Sequence, residues 1–322
     1  MKTVIITGGA GFIGCNLCKK LLTNDEIRII CIDNLSSGSI DNILEFVEHP
    51  NFTFCYQDIV SINYTMLLDQ MNIQEIHQIF HLACMASPVH YQKNPLETLD
   101  VCFTGTKKIL ELAVKYNCRI LFTSTSEVYG NPLVSVQNEE YFGNVNPIGI
   151  RACYDEGKRV AETLCFEYKR NHFANVCVIR IFNTYGPYMS KNDGRVIPNF
   201  INQCLEDKDI TIYGNGEQTR SFCFIDDLLN GMIKMIESTE TGPINIGNPE
   251  VYSIAQLAER IKIITKSKSN IVYEDLPSDD PSIREPCIEK ACILLDWTPT
   301  VNLSIGLRKT IEFEIKRKND SK

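Results

Sequence analysis

The stretch Gly8-Gly-Ala-Gly-Phe-Ile-Gly14 constrains this chain more than any other. It follows the β-branched run Thr3–Thr7 and opens the helical pattern Phe12–Leu22. Gly9, Gly11 and Gly14 satisfy G-x-G-x-x-G, and Gly8 adds G-x-x-G-x-x-G in the same stretch. Glycines there permit a tight strand-to-helix turn and let the backbone approach a pyrophosphate lying on the helix N-terminus. Asp33 ends the next strand-like run nineteen residues after Gly14, where an acid hydrogen-bonds the adenosine ribose hydroxyls. A carboxylate at that place repels a 2′-phosphate, so the expected cofactor is NAD, not NADP. The alternative is a purely structural glycine turn, and the strand, the helix and the acid together weigh against it. Asp58 and Ile59, after the third strand-like run, stand where they could reach the adenine; a solvated acidic loop is the alternative for Asp58.

The rest of the first two thirds repeats the strand-then-helix rhythm. Strand-like runs lie at Thr3–Thr7, Ile27–Ile32, Asn51–Cys55, Gln78–Ala83, Ile120–Thr125 and Val176–Ile181. Helical patterns between them include Leu96–Tyr116 and Tyr154–Arg170. Apolar runs without clean alternation, separated by helices, predict a parallel sheet covered on both faces: an α/β, Rossmann-type doubly wound layout. After Asn183, Gly, Pro and Asp become frequent, as in Pro277 to Pro281, while helical stretches remain at Pro198–Leu205, Asp226–Glu237, Ile254–Ile264 and Cys287–Leu295. Ser253 and Gln256 form a capping-box signal. The expected division is a dinucleotide-binding domain over 1–182, with a later return near 213–240, and a smaller mixed C-terminal domain over 183–322 covering the carboxyl ends of the strands. The polar end 316–322 is expected to fray.

Charge and cysteine usage narrow the partners. The 322 residues carry 32 Lys plus Arg against 40 Asp plus Glu, a net charge of −8. That balance argues against nucleic acid or an anionic membrane surface as partner, both of which need a basic face. No apolar run of about 20 residues suggests a membrane span. No secretory leader is read at the start, and the 14 cysteines are scattered, so free thiols in a cytoplasmic, reducing compartment are expected. The sequons at Asn51 and Asn63 are then chance matches. Cys15 and Cys18 form the one C-x-x-C, with no second close pair to complete a tetrahedral zinc site, and His77 and His81 lie on a strand-like run. No metal is expected.

Tyr154 and Lys158 are four apart at the start of a helical pattern and share one face. A nearby ammonium stabilises a phenolate, which lets a tyrosine act as general base near neutral pH. Upstream, Thr123-Ser-Thr-Ser-Glu-Val-Tyr-Gly130 closes a strand-like run, at the sheet edge that borders the ligand crevice. A hydroxyl there can reach the same substrate oxygen as the tyrosine.

With these motifs in place, the chain resembles the extended short-chain dehydrogenase/reductase superfamily, the NAD-dependent epimerases and dehydratases. Within it, the UDP-glucuronate decarboxylases are most similar. The stretches carrying the resemblance are Thr7–Gly14, His81–Pro88, Thr123–Gly130, Asn144–Gly149, Cys153–Lys158, Arg180–Pro187 and Gln218–Phe222, with Ser126-Glu127 setting the subfamily. The resemblance implies that Tyr154, helped by Thr125 and Lys158, takes the sugar 4-hydroxyl proton as hydride leaves C4 for NAD⁺. The resulting β-keto acid loses its C5 carboxylate as CO₂, C5 is reprotonated, and hydride returns to C4. It further implies cofactor contacts at Gly8, Gly11, Phe12, Ile13, Gly14, Asp33, Asn34, Asp58, Ile59, Leu82, Ala83, Tyr154 and Lys158. Arg220 is expected to meet the sugar carboxylate bidentately, with a surface ion pair as the alternative. Ser126 and Glu127 are expected to serve the C5 chemistry or position the ring, the alternative for Glu127 being a solvated loop acid. Tyr91 matches a position near the sugar, and His90 beside it is read as a loop residue. Asn183, Arg195, Tyr213 and Arg284 are implied for the UDP moiety.

Departures from the family pattern are Ile283 and Cys287 around Arg284, Met85 where proline is usual, and Cys102 where asparagine is. The rival readings are a UDP-sugar 4-epimerase, a nucleotide-sugar 4,6-dehydratase and, in a different class, a non-catalytic NAD-binding sensor. By analogy a homodimer through Leu96–Tyr116 and Tyr154–Arg170 is expected. Cys84, Cys102 and Cys153 fall beside the expected chemistry, which predicts sensitivity to thiol modification without a catalytic thiol.

Overall fold

The protein is described here from a computed structural model covering residues 1–275 and 283–320. The run Pro277 to Pro281, the opening of the 279–286 motif and the last two residues, Ser321 and Lys322, lie outside the described residues. Seven strands form one sheet: β1 Lys2–Thr7, β2 Ile27–Asp33, β3 Phe52–Tyr56, β4 Gln78–His81, β5 Arg119–Thr125, β6 Val176–Ile181 and β7 Ile244–Ile246. Their order is β7-β6-β5-β4-β1-β2-β3, every pairing parallel. Interior strands are apolar on both faces because both are covered: Val4, Ile5 and Ile6 are buried, as are Ile29 to Ile32. The chain builds outward from β1 to β3, then crosses to β4 on the other side. That reversal splits the loops after β1 and β4 and opens a crevice at their carboxyl ends.

Four helices matter for the site: α1 Phe12–Leu21, α2 Ala152–His172, α3 Ile225–Glu237 and α4 Leu303–Asp320. α1 and α3 pack on one face of the sheet, while α2 and the helix Thr106–Lys115 pack on the other. The expected helix Leu96–Tyr116 is interrupted. Pro95–Asp100 runs into a π-helical turn, Val101–Gly105, before Thr106–Lys115. Such turns insert an extra backbone residue and occur frequently at functional sites. His90 lies on the short helix Pro88–Lys93, not in a loop, with Pro88 preset for the first helical position.

The return to the sheet comes through 225–246, later than the 213–240 expected, because Ile210–Tyr213 and Thr219–Ser221 join small outer sheets. The former pairs with Ile271–Glu274; the latter lies between Val251–Ser253 and Ile283–Arg284. In that last pairing the backbone of Arg284 stands opposite Arg220. The capping box at Ser253 and Gln256 forms and starts the helix Ile254–Thr265. The expected frayed end is helical through Asp320: Leu303, Leu307 and Ile311, four apart, bury one face of α4 and hold its polar remainder in place.

Candidate active site

A cavity of about 1180 Å³ lies over the carboxyl ends of β1, β2, β4, β5 and β6. It exceeds the roughly 300–1,000 Å³ of a single drug-sized ligand, so it has room for a dinucleotide and a second ligand together. Its first wall is the glycine turn. Gly8 has φ +75°, and a Cβ there would stand 2.8 Å from the Ala83 backbone nitrogen. A Cβ on Gly14 would stand 2.1 Å from the Gly8 carbonyl oxygen, so only hydrogen fits. The turn thus brings backbone and the open N-terminus of α1 up to the cavity, with Gly11, Phe12 and Ile13 on its lining.

Asp33 closes the far end of this wall. Its Oδ2 accepts from the Ala10 N–H at 2.9 Å and its Oδ1 from the Leu35 N–H at 2.8 Å, which fixes the carboxylate between the glycine turn and β2. Burial raises its pKa, and those backbone donors oppose the rise. Asn34, Ile59, Leu82 and Ala83 line the same cavity. Asp58 is not on the lining; it accepts from Asn34 Nδ2 at 2.7 Å and from the Val60 N–H. A glycine cradle, an open helix N-terminus and a pinned carboxylate fit a dinucleotide's pyrophosphate and ribose.

The second wall gathers the chemistry. Thr125 ends β5, and its hydroxyl accepts from the Glu127 N–H at 3.2 Å, capping the short turn Ser126–Tyr129. Tyr154 sits in the first turn of α2, stacked on Tyr91 with ring centroids 5.0 Å apart and 4° between planes, with the Thr125 hydroxyl beside its phenol. Burial pushes the Tyr154 phenol well up, and the Thr125 hydrogen bond opposes it. Lys158, one turn on, donates to the Thr123 carbonyl at 2.8 Å, with its Nζ 6.0 Å from the centre of the Tyr154 ring. The ammonium therefore approaches the phenol from the sheet side without bonding to it. Beneath this wall His81 is buried between the Thr7 and Thr106 hydroxyls; burial pulls its pKa down to about 3, so it is neutral and structural.

Glu127 is no solvated loop acid. It is clasped by Arg151 and by Arg284, the latter at 3.3 Å (Nε) and 3.2 Å (Nη2). Burial would raise its pKa, but the Arg284 and Arg151 guanidiniums overcome that and hold it at about 2. Arg151 escaped the sequence reading. Its signal was its position: a cation just before the first turn of a helix opposes the helix dipole and needs an anion to hold it there. Asp155, beside Tyr154, is buried as well; desolvation first and the Glu127 charge second raise it to about 7.

Arg220, Arg284, Arg195 and Asn183 all line the cavity, Arg195 through a pair with Asp193. Tyr213 is not among the lining residues: it ends an outer strand, 44% exposed, with its carbonyl accepting from Gln218. Arg284, which the resemblance implies for the nucleotide, also reaches Glu127.

Comparison with known proteins agrees with this layout. The profile described as the NAD dependent epimerase/dehydratase family matches residues 4–255. UDP-glucuronic acid decarboxylase 6 of Arabidopsis thaliana is 47% identical over 304 residues, covering 94% of this chain and 86% of that protein. UDP-glucuronic acid decarboxylase 1 of Xenopus tropicalis is 46% identical over 312 residues, covering 97% and 72%. Among solved structures, UDP-glucuronic acid 4-epimerase from Bacillus cereus, in complex with UDP-glucuronic acid and NAD, superposes with a TM-score of 0.88 at 28% identity, covering 98% of this chain and 99% of that one. A UDP-glucose 4-epimerase from Thermotoga maritima with UDP-glucose gives 0.89 at 28% identity, covering 98% and 99%. With the glycine turn, the pinned Asp33 and the Tyr154–Lys158 helix all on one crevice, the chain belongs to the NAD dependent epimerase/dehydratase family.

Proposed function

We propose that this protein is a carboxy-lyase that converts UDP-glucuronate to UDP-xylose and CO₂, using NAD and regenerating it within each turnover. The similarity to decarboxylases along 94–97% of the chain supports the substrate. One observation carries the reading: two guanidiniums converge on Glu127 beside Tyr154, in a cavity large enough for both cofactor and sugar nucleotide.

NAD supplies the hydride acceptor and donor for C4. Tyr154 takes the 4-hydroxyl proton, and the Thr125 hydroxyl hydrogen-bonds to it and orients it. Burial keeps the phenol protonated until positive charge gathers beside it, and the Lys158 ammonium, 6.0 Å from the ring centre, is the chain's own cation there. The 4-ketone is then an electron sink for the bond between C5 and the carboxylate, and CO₂ leaves without a metal. Glu127, ionised at neutral pH, does not supply the proton returned to C5; it holds the ring and the guanidiniums. Arg284 reaches Glu127 beside Tyr154, so it is assigned the sugar carboxylate, while Arg220 on the neighbouring strand, with Arg195 and Asn183, is assigned the UDP moiety. Ser126 and Tyr91 frame the sugar.

A 4-epimerase is the second reading, favoured by the close fold match to enzymes of that activity. Incubation with UDP-glucuronate and NAD⁺, followed by mass spectrometry, separates the two. A UDP-pentose with release of CO₂ is expected; an isomeric UDP-hexuronate as sole product overturns the proposal. A homodimer is proposed through the 95–115 and α2 helices, where Leu96, Leu99 and Phe103 are exposed. A reducing, cytoplasmic compartment is proposed, in which the 14 cysteines stay free thiols. Among the described residues no helix is long and apolar enough to cross a membrane, and no group of His, Cys, Asp or Glu could hold a metal ion.

A further inference from the structure

Two thiols meet behind the cofactor wall. Cys84 follows β4 and lines the cavity; Cys102 sits in the π-helical turn Val101–Gly105. Their sulfurs are 3.5 Å apart. The fold holds them together from two directions, since the loop after β4 sets one and the extra residue of the π turn sets the other. Cys102 also packs on the catalytic helix: a Cβ on Gly157 would stand 3.0 Å from its Sγ, one residue before Lys158.

We propose that Cys84 and Cys102 are a peroxide-reactive dithiol, closing to a reversible disulfide that halts turnover. The Cys84 thiol is drawn down to about 7, by its hydrogen bond with Cys102 first and the Lys158 ammonium besides, against its burial. Cys102 is pushed up by the same contact and by burial. This gives an attacking thiolate next to a thiol that resolves it. The Cys84 thiolate attacks a peroxide oxygen, forming Cys84–S–OH as the O–O bond breaks. The Cys102 thiol then gives up its proton, and its sulfur attacks the Cys84 sulfur and expels the hydroxyl oxygen as water. Overall two thiols and one hydrogen peroxide give one disulfide and two waters.

Cys18 and Cys31, both beneath Gly9 of the glycine turn, lack this capacity. Both are fully buried, and the Cys18 thiol is pushed well up by that burial. Closing the Cys84–Cys102 bond draws the sulfurs from 3.5 Å to about 2.05 Å, which disturbs the contact with Gly157 and hence Tyr154 and Lys158 on the same helix.

The test uses the purified full chain, treated with hydrogen peroxide near pH 7.5, then blocked, digested and mapped by mass spectrometry. A Cys84–Cys102 cross-linked peptide is expected to form about tenfold faster than oxidation of any other cysteine. Turnover of UDP-glucuronate falls with it and returns with dithiothreitol. Excess NAD⁺, which rests on the cofactor reading above, slows the cross-link. Cys102→Ser leaves inactivation that dithiothreitol no longer reverses, because Cys84 proceeds to sulfinic acid. Absence of the cross-linked peptide in the wild type, or a Cys84→Ser variant losing its own activity to peroxide as fast as the wild type, overturns the proposal. The cross-link is read without substrate, so a failed decarboxylase assignment leaves this arm intact.

Discussion

Glu127→Gln removes one charge and leaves two buried guanidiniums facing each other. The Arg284 side chain is 2% exposed and that of Arg151 16%, so solvent replaces little of what they lose. The size of the effect follows from the carboxyl's acidity. Holding it at about 2 instead of an ordinary 4.5 corresponds to roughly 3 kcal/mol of folded-state interaction at pH 7. The same figure stands at the lower edge of the roughly 3–5 kcal/mol lost when one partner of a buried ion pair is removed. For a chain of this size, about 2 °C accompanies each kcal/mol, so the melting temperature of Glu127→Gln should lie about 6 °C below wild type at pH 7. The pH dependence carries a definite sign. A carboxyl whose pKa is depressed by folding contributes fully above its unfolded value and loses the contribution as pH falls toward its folded one. The gap between the two proteins should therefore be flat from pH 8 to about 5 and shrink to roughly half by pH 3. Differential scanning calorimetry across that range measures it. A gap below 1 °C at pH 7, or one that keeps its full size at pH 3, refutes the clasped carboxylate.

Tyr154→Phe should lower kcat by about 10²–10⁴ while melting temperature and bound NAD stay near wild type, since only the phenol oxygen is removed. Asp155→Asn should raise stability, because burial lifts this carboxyl to about 7: the folded state's penalty grows from pH 3.8 to 7 and is flat above, so the gain is at most roughly 4 kcal/mol at pH 8 and vanishes near pH 4 by thermal melts. Gly14→Ala should abolish NAD retention, read from the absorbance of released cofactor, because backbone atoms at 2.1 Å and 2.6 Å from the new Cβ cannot move aside. Arg284→Ala should impair UDP-glucuronate turnover far more than the first hydride step on UDP-glucose, whereas Arg220→Ala should weaken both alike by initial rates; equal losses in Arg284→Ala refute its carboxylate role.

What the sequence makes legible is whatever lies in one contiguous run. Gly8 to Gly14, Thr125 to Glu127 and Tyr154 with Lys158 are each set by local spacing, and each lies on the cavity. Six of the seven sheet strands are long enough to show as apolar runs. β7 is three residues, Ile244-Asn-Ile246, too short for a period to register, and its identity comes only from pairing with β6. α4 hides for another reason: its polar face outweighs the three residues that anchor it. The Glu127–Arg284 pair joins residues 157 apart, which no local pattern encodes. Tyr213 is implied by the resemblance alone, and it stands 44% exposed at the end of an outer strand.

The late position of β7 sets the order in which the molecule can be made. While the ribosome adds residues 182–243, β6 has only β5 as a neighbour, and the face later covered by α3 stays bare. At about 5–20 residues per second, some sixty residues keep that edge open for several seconds, long enough to recruit a chaperone or a neighbouring nascent chain. The half of the protein that carries the glycine turn and Tyr154 thus emerges first but waits on the other half for its last strand.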